Sequence, residues 1–537
     1  MKYPIGIQSF ETIRREGYVY VDKTDLVYKL AEGHIYFLAR PRRFGKSLLI
    51  STLKAYFEGR KDLFDGLKMM ELETEWKTFP VISFDFNLGQ KNKENGLRDY
   101  LLSVIAKVEN TYAIPPMLNP ENNKPTLDVG VRFNHLIGEL HETTGQQVVV
   151  LIDEYDKPLL DLLETGNPDD EKMLDDNREL LKYFFSVFKA ADSHLRFVML
   201  TGVTKFSQVS MFSGFNQPDD ISIDNRYDTL LGITEEELHT VFAEGIAELA
   251  EMLCESEEET KELLKRRYDG YHFSKRLKDV YNPFSILNTF AKLDMKDYWF
   301  ASGTPSYMVR LLAKSQEEVM SFTGRYYAEQ TFVDYKANTE MPLPMFFQSG
   351  YLTIKDVDRE FNIYLLDYPN TEVKQGMITL LANKYLQSQN DTTSWLNQMV
   401  QALRKADLDQ VRKLFTAFLA ETPYSMRPKK DQKSRELYFH YTFYLMMRLI
   451  SCYTVYTEKQ LSEGRADCIV ETRANIFIFE FKLDGTADEA LRQIHDRGYA
   501  TAYAADPRPI YRIGASFSSK TGTIEEWKAE TGPEEMS

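Results

Sequence analysis

The sequence predicts an α/β protein: a buried parallel sheet, then a helical region, then a second and smaller α/β domain. Three observations lead to this prediction. Apolar runs of strand length alternate with segments of helical periodicity in the first part of the chain. The middle part has mainly helical periodicity, and short apolar runs return near the C-terminus. The chain has 537 residues, which is too long for one hydrophobic core, so several domains are expected.

Four apolar runs predict the strands of the parallel sheet. They are HIYFLA from His34, VISFDF from Val81, VVVLIDEYD from Val148 and LRFVMLTGV from Leu195. The first run is followed by a helical segment, KSLLISTLKAYFEG, which should stop at Gly59. Unbroken apolar strands separated by helices are typical of a parallel sheet that is covered on both faces. We predict that this domain spans residues 1–232.

The following residues predict a helical region over 233–375, beginning with a capped helix at TEEEL from Thr234. Within it, FFQSGYLTIKDVDREFNIYLL from Phe346 predicts a helix end and two strands. That pattern fits a winged helix or a helical lid that ends in a hairpin. A helical connector is expected over 376–430, and the basic stretch RPKKDQKSR from Arg427 leads into the last domain, 431–537. There we predict the helix ELYFHYTFYLMMRLI, the strands ADCIVET and NIFIFEFKL, and the helix DEALRQIHDRGYATAY.

Composition excludes several classes of protein. The formal net charge of −16 argues against binding of nucleic acid over the whole surface and restricts such binding to local basic clusters. The 3 cysteines form no C-x-x-C pair, which argues against a zinc ribbon or a disulfide framework. No apolar run approaches the length that crosses a bilayer. We therefore expect a cytoplasmic protein without a membrane partner.

The stretch RPRRFGKS from Arg40 ends like a phosphate-binding loop, but Arg40 stands where the usual pattern has its first glycine. Gly45 would let the backbone approach the phosphates, Lys46 would reach the β and γ phosphates, and Ser47 would bind Mg²⁺. The alternative is a basic loop before an ordinary helix. The preceding strand and following helix give the context that a phosphate loop requires.

Two later strand ends support a nucleotide site. In VVVLIDEYD, Asp153 would hold Mg²⁺ and Glu154 would orient the attacking water. The alternative is a pair of acids at the end of a buried strand. In LTGVTKF, Thr201, Thr204 or Lys205 could contact the γ-phosphate or the water, or the segment could be an ordinary strand exit.

A second group of polar residues lies near the C-terminus. Glu480 and Lys482 are two positions apart on a predicted strand, so they project from the same face, and Asp467 on the paired strand can reach the same point. Two carboxylates and a lysine would bind one or two Mg²⁺ ions, or Mn²⁺, and position a water to attack a phosphodiester. The alternative is a hairpin with a surface ion pair.

Six motifs in order resemble the AAA-ATPase-like family, which occurs in anaerobic bacteria. They are YVDKT, RPRRFGKS, LIDEYD, LTGVTKFSQVSMFSGFN, YDGYHF and YNPFS. The resemblance implies that RPRRFGKS is this family's form of the phosphate loop and that the ligand is ATP with Mg²⁺. It also implies that Arg42 and Arg43 face the phosphates of their own or a neighbouring subunit, or else solvent. The oligomeric state is left open, from monomer or dimer to a larger homo-oligomer.

The C-terminal stretch GRAD, IFEFKL and ALRQIHDRGYA resembles the PD-(D/E)XK nuclease domain that usually follows this ATPase. That resemblance adds Glu436 as a further acid and Gln493 as a supporting polar residue, and it implies nucleic acid, in the first place DNA, as the partner.

The two motif groups together predict an ATP-hydrolysing protein that controls a metal-dependent nuclease. One alternative is a switch that holds the nucleotide and whose C-terminal domain binds nucleic acid or protein without cutting. Another is a P-loop kinase or transferase, against which the Asp-Glu pair and the long helical region argue.

Overall fold

The computed structural model describes residues 1–89, 93–165, 167, 170–205, 218–302, 322–333, 342–377, 392–421, 454–461, 464–472, 474–504 and 506–531. The chain divides into two compact units, Met1–Lys374 and Gln375–Ser537. The finer boundaries that the sequence suggests, after residues 232 and 430, stay predictions.

The first unit contains a five-stranded sheet in the order β2-β3-β4-β1-β5. Its strands are β1 (Ile35–Ala39), β2 (Val81–Asp85), β3 (Val148–Asp153), β4 (Leu195–Gly202) and β5 (Asp219–Asp220). Every pairing between them is parallel. β1 and β3 are buried along their whole length, as their unbroken apolar sequences predict. The predicted parallel sheet is therefore confirmed.

Helices cover both faces of this sheet. They are α1 (Phe10–Arg15), α2 (Thr24–Ala31), α3 (Lys46–Phe57), α4 (Met69–Leu72), α5 (Gly96–Tyr112), α6 (Val129–Thr144), α7 (Lys157–Thr165) and α8 (Glu171–Ala190). On one face, Leu53 of α3 belongs to the same apolar cluster as Leu151 of β3. On the other, the ring of Phe84 contacts those of Phe133 in α6 and Phe184 in α8, with centroids 5.5 and 5.2 Å away.

The rest of the first unit begins with five helices, α9 (Glu235–Val241), α10 (Ala243–Leu253), α11 (Glu257–Tyr268), α12 (Pro283–Lys292) and α13 (Tyr298–Ala301). The predicted cap at Thr234 is present, because its side chain accepts from the Glu237 amide while Glu237 bonds back to the Thr234 amide. Apolar residues of α9 to α12, including Phe242 and Phe290, form a separate core.

A small antiparallel sheet follows, in the order β6-β8-β7. Its elements are β6 (Arg325–Ala328), α14 (Glu329–Val333), α15 (Leu343–Gln348), β7 (Thr353–Asp358) and β8 (Ile363–Asp367), and a helical segment spans 371–377. The two strands predicted after Phe346 are β7 and β8. Pairing of β6 with β8 makes the sheet three-stranded.

The second unit contains a mixed five-stranded sheet in the order β13-β12-β11-β10-β9, in which only β11 and β12 run parallel. Its elements are α16 (Thr392–Arg404), α17 (Leu408–Glu421), β9 (Thr454–Leu461), β10 (Gly464–Glu471), β11 (Ile476–Leu483), α18 (Ala487–Asp496), β12 (Ile510–Phe517) and β13 (Ile524–Thr531).

The last predicted helix is shorter than its sequence pattern suggests. It was expected to reach Tyr503, but α18 ends at Asp496. Gly498 follows with a φ of 54°, a left-handed conformation that cannot continue a right-handed helix. The predicted helix over 436–450 and the basic stretch over 427–435 lie outside the described residues. In the part of the chain that is described, no helix is long and apolar enough to cross a membrane.

Candidate functional site

The loop after β1 meets the ends of two other strands at one edge of the first sheet. β4 lies between β1 and β3, so the residues after all three strands are neighbours. The loop ends at Gly45, whose φ of 97° is the left-handed conformation that favours glycine, and α3 begins directly after it. The first turn of α3 therefore points its backbone amides into this edge.

Lys46 links the loop to the end of β3. Its side chain is buried, and its ammonium donates to the carbonyls of Arg40 and Pro41 at 3.1 and 3.2 Å. The same ammonium lies 3.7 Å from the Glu154 carboxylate. Glu154 has a φ of 54°, an uncommon backbone conformation for a residue with a side chain. Lys46 and Glu154, both candidates for the nucleotide site, therefore lie side by side.

Asp153 is surrounded by hydroxyl groups. It is buried, and it accepts a hydrogen bond from the Thr201 hydroxyl of β4 at 2.6 Å. Burial raises the pKa of its carboxyl group, and hydrogen bonds from Ser47 and Thr201 oppose that rise. A carboxylate next to a serine hydroxyl is an oxygen donor set of the kind that Mg²⁺ prefers. Ser47 and Asp153 therefore fit a magnesium ion.

A cleft of about 690 Å³ opens above this edge. The loop contributes Arg42, Arg43, Gly45, Lys46 and Ser47 to its lining, and Glu154 lines it as well. Residues 4–8 and the first turns of α12, including Phe284 and Leu287, also line the cleft. A smaller cavity of about 120 Å³, lined mainly by apolar side chains, shares Gly45 and Leu48 with the cleft. Charged side chains of the cleft thus lie next to a mainly apolar cavity, a combination that is common at ligand sites.

Arg40, at the position of the usual first glycine, faces away from the cleft. Its guanidinium is buried, stacks 4.1 Å above the Phe273 ring, and donates to the carbonyls of Ser222 and Tyr227. Burial lowers the pKa of Arg40 to about 9. The Arg40 side chain thus fixes the start of the loop on the side away from the cleft, by contacts that a glycine could not make.

Arg42 and Arg43 both line the cleft, and each also contacts another part of the first unit. Arg42 pairs with Glu164 at 3.1 Å. The Arg43 guanidinium stacks 3.9 Å above the ring of Phe284. Arg43 is exposed and Arg42 is half-buried, so a contact of either arginine with phosphate stays a prediction beside the solvent-facing alternative.

Thr204 and Lys205 are engaged elsewhere. The Thr204 hydroxyl donates to Asp156 at 2.7 Å, and Lys205 pairs with Asp220 at 2.7 Å. Neither is among the residues that line the cleft. Thr201, the third candidate on this segment, is the one that contacts Asp153.

The sequence interpretation missed Asp156, which is fully buried. It accepts from the amides of Val203 and Thr204 at 3.0 and 2.7 Å and so ties the end of β3 to the end of β4. Its position just before α7 suggests an N-cap residue, and the sequence carries no signal that the side chain turns towards β4 instead.

In the second unit, Asp467 and Glu480 lie opposite each other. β10 and β11 pair antiparallel with Cys468 beside Phe479, which puts the two acids at the next position. The Phe481 amide donates to Asp467 at 2.9 Å, and the Asp467 amide donates to Glu480 at 3.4 Å. The structure therefore brings the two candidate carboxylates to one place.

Lys482 and Gln493 complete this group. Lys482 lies 3.6 Å from Glu480, and its ammonium donates to the Gln493 amide oxygen at 2.5 Å. The Gln493 amide nitrogen donates to Glu480 and, at 3.4 Å, to the Tyr499 hydroxyl. Gln493 therefore connects the acid and the lysine. Tyr499 was not identified from the sequence, because its six-residue spacing from Gln493 matches neither a helix nor a strand repeat.

The charges at this second site favour a cation. Burial raises the pKa of the Glu480 carboxyl group, and so does the neighbouring charge of Asp467, while Lys482 lowers it. A divalent cation between the acids would remove this repulsion, so the two residues fit one. Over the described ranges no group of three or more His, Cys, Asp or Glu side chains could hold a metal ion. The further acid that was expected, Glu436, lies outside those ranges.

Comparison with known proteins gives a family match for each of two segments of the chain. Residues 4–212 match the AAA-ATPase-like family, described as "Predicted AAA-ATPase", and residues 434–527 match the PD-(D/E)XK nuclease superfamily. The chain is 35% identical over 529 residues to an uncharacterized protein from the vnfD 5' region of Azotobacter chroococcum mcd 1. The alignment covers 97% of this chain and 98% of that protein. The chain therefore belongs to the AAA-ATPase-like family, with an N-terminal AAA-ATPase-like domain and a C-terminal PD-(D/E)XK nuclease-superfamily domain.

Proposed function

We propose that this protein binds and hydrolyses ATP and that its nucleotide state controls a metal-dependent nuclease acting on DNA. One observation carries the proposal. Each unit brings its candidate side chains to a single point, Lys46, Ser47, Asp153 and Glu154 in the first and Asp467, Glu480 and Lys482 in the second. Membership of both families supports the two halves.

In the first unit, the amides of the loop and of α3 would bind the phosphates. Lys46 would leave its carbonyl partners for the β and γ phosphates, and Ser47 and Asp153 would hold Mg²⁺. Glu154 lies on the other side of Lys46 and would orient the attacking water. Arg42 and Arg43 line the same cleft and would neutralise the phosphate charge. The apolar cavity beside Leu48 would take the adenine base.

In the second unit, Asp467 and Glu480 would hold Mg²⁺ or Mn²⁺. The bound ion would polarise the phosphodiester and lower the pKa of a water. Lys482 would orient that water or stabilise the charge that develops on the phosphate. Gln493 would fix the orientation of both Glu480 and Lys482 through the two ends of its amide. Cleavage would therefore depend on four side chains from β10, β11 and α18.

The proposal is tested by cleavage of supercoiled and linear DNA with Mg²⁺ or Mn²⁺, with and without ATP. We expect Lys482→Ala to lower the cleavage rate at least about a hundredfold while ATP hydrolysis continues. Lys46→Ala should abolish ATP binding and remove the effect of ATP on cleavage.

Two matched controls are available. Lys54→Ala removes an exposed lysine from the same helix as Lys46, and Lys528→Ala removes an exposed lysine from the same sheet as Lys482. Both exposed pairs should contribute little, so both variants should behave as the wild type. ATP binding that survives Lys46→Ala would contradict the ATPase half. Cleavage that survives Lys482→Ala would contradict the nuclease half.

A further inference from the structure

The phosphate loop is held by an indole from the later part of the first unit. Trp299 of α13 donates its ring N–H to the Arg42 carbonyl at 3.0 Å. Its ring is nearly fully buried and contacts the ring of Tyr351, with centroids 5.2 Å apart. The loop conformation at Arg42 therefore depends on a residue more than 250 positions later in the chain.

Trp299 is in turn held by a buried acid. Glu372 is 1% exposed, and its Oε1 accepts from the Trp299 amide at 2.7 Å. Its Oε2 accepts from the Ser285 hydroxyl at 2.8 Å. The residue before Ser285 is Phe284, whose ring lies under the Arg43 guanidinium. The two oxygens of Glu372 thus connect to two neighbouring loop residues. One oxygen reaches Arg42 through Trp299, and the other reaches Arg43 through Ser285 and Phe284.

Glu372 also lies where the chain leaves the first unit. It is part of the helical segment 371–377, and the first unit ends at Lys374. The start of this segment is fixed by two further bonds, from Asn370 to the Asp269 carbonyl at 2.9 Å and from Thr371 to the Arg266 carbonyl at 3.1 Å. A shift of the loop would therefore reach the segment 371–377 through two hydrogen bonds, from Trp299 to Arg42 and from Trp299 to Glu372.

We propose that Trp299 and Glu372 are positioning residues of the nucleotide site and that they transmit its occupancy to the segment 371–377. The inference rests on the proposed function, because it takes ATP as the ligand. Binding of the triphosphate requires the loop amides and the Arg42 and Arg43 side chains to face one anion. Any adjustment of the Arg42 backbone changes the geometry of its hydrogen bond to Trp299. Trp299 is bonded to Glu372, so the change would reach the segment 371–377.

The test is amide hydrogen exchange of the full chain, with and without Mg²⁺ and a slowly hydrolysed ATP analogue. In the wild type we expect exchange to slow in the loop, 40–47, and in 371–377. The change in 371–377 should be about fivefold or more, the lower end of typical coupling between sites. Trp299→Phe keeps an aromatic ring but removes the donor. It should retain the change in the loop and lose the change in 371–377.

Trp76→Phe is the matched control. The Trp76 indole is packed against Tyr56 and Phe64, and its ring nitrogen has no hydrogen-bond partner among the residues that the structure describes. This variant should respond like the wild type. Glu372→Gln keeps an acceptor for the Trp299 amide and a polar partner for Ser285, so it should also retain the response. Glu372→Ala should lose it.

Calorimetric titration with the same analogue separates positioning from folding. Trp299→Phe should weaken binding of the analogue by about three- to tenfold, the effect of one lost hydrogen bond. Its unfolding midpoint should equal that of Trp76→Phe. Slower exchange in the loop without any change in 371–377 of the wild type would overturn the inference and leave the proposed function intact. No change in either segment would overturn both.

Discussion

Glu480 is buried beside a second carboxylate, and this placement couples loss of its proton to the binding of a metal ion. Its pKa is raised by burial and by the charge of Asp467, so the folded protein without metal keeps a proton there to higher pH than an exposed glutamate does. A cation can bind the carboxylate only after that proton leaves. Metal binding should therefore release a proton and become stronger as the pH rises.

This predicts a pH-dependent affinity for Mn²⁺ in the second unit. Between pH 6 and pH 7 the dissociation constant should fall by up to about tenfold, the limit for release of one proton. Calorimetric titration in buffers of different ionisation enthalpy measures both the affinity and the number of protons released. Glu480→Gln should lose most of the binding, and Asp488→Asn, an exposed acid on α18, should not. An affinity that does not vary with pH would contradict the assignment.

The candidate residues of the two units show what a sequence can predict at this scale. Asp467, Glu480 and Lys482 lie together because strand alternation and hairpin pairing follow directly from the sequence pattern. Thr204 and Lys205 were equally reasonable from their position after a strand. Their partners, Asp156 and Asp220, are distant in sequence, and nothing local indicates these pairings.

Among the elements, the loop 40–47 after β1 has packing contacts that come from residues far along the chain. Gly350 follows α15 with a φ of 86°, and a Cβ there would lie 2.6 Å from Cγ of Pro41. Phe44 contacts the rings of Tyr271 and Phe273, with centroids 4.8 and 5.4 Å away. The loop is therefore shaped by the region after α11 as much as by β1 and α3.

We predict that Gly350→Ala weakens both stability and ATP binding. The positive φ should cost about 1 kcal/mol, and the contact with the rigid proline ring should add about 1–3 kcal/mol. Urea unfolding and titration with the ATP analogue measure the two effects.

Gly66→Ala is the control, since Gly66 has a φ of 73° but nothing within 4 Å of its Cβ position. It should lose only the backbone part of the stability and keep full affinity. Equal effects of the two substitutions would argue against the packing contact.

Elements of regular pattern were predictable, and those set by distant contacts were not. The apolar runs of β1 and β3 identify strands because burial on both faces demands such sequences. By contrast, the pairing of β6 with β8 joins segments separated by α14 and α15, and the periodicity of β6 alone gives no sign of it. The end of α18 is not predictable from periodicity, because the helical pattern continues past Gly498, whose left-handed conformation ends the helix.

At the scale of the whole molecule, the cleft beside the loop 40–47 is built from more of the chain than the segment that matches the AAA-ATPase-like family. That match ends at residue 212. The contacts that hold the loop come from Ser222, Phe273, Trp299 and Gly350, all later in the chain. All of them lie within the first compact unit, which ends at Lys374.

A comparison of two fragments tests this dependence. Residues 1–377, which keep the whole helical segment 371–377, should bind the ATP analogue with Mg²⁺ about as tightly as the full chain. Residues 1–212 should not bind it measurably. Calorimetry gives the affinities, and circular dichroism shows whether each fragment is folded. Equal affinity of both fragments would mean that the later part of the unit is dispensable for the site.

The buried guanidinium of Arg40 means that a return to the usual glycine at this position would not improve the loop. A substitution to glycine would restore the familiar loop pattern and make the motif easier to detect. It would also remove the side chain that reaches Ser222, Tyr227 and Phe273, and leave their carbonyls and ring facing an empty space. In this chain, a glycine at position 40 would therefore lower the stability of the loop. Other loops obtain their geometry from the backbone freedom of glycine, whereas this one obtains it from the contacts of a buried side chain.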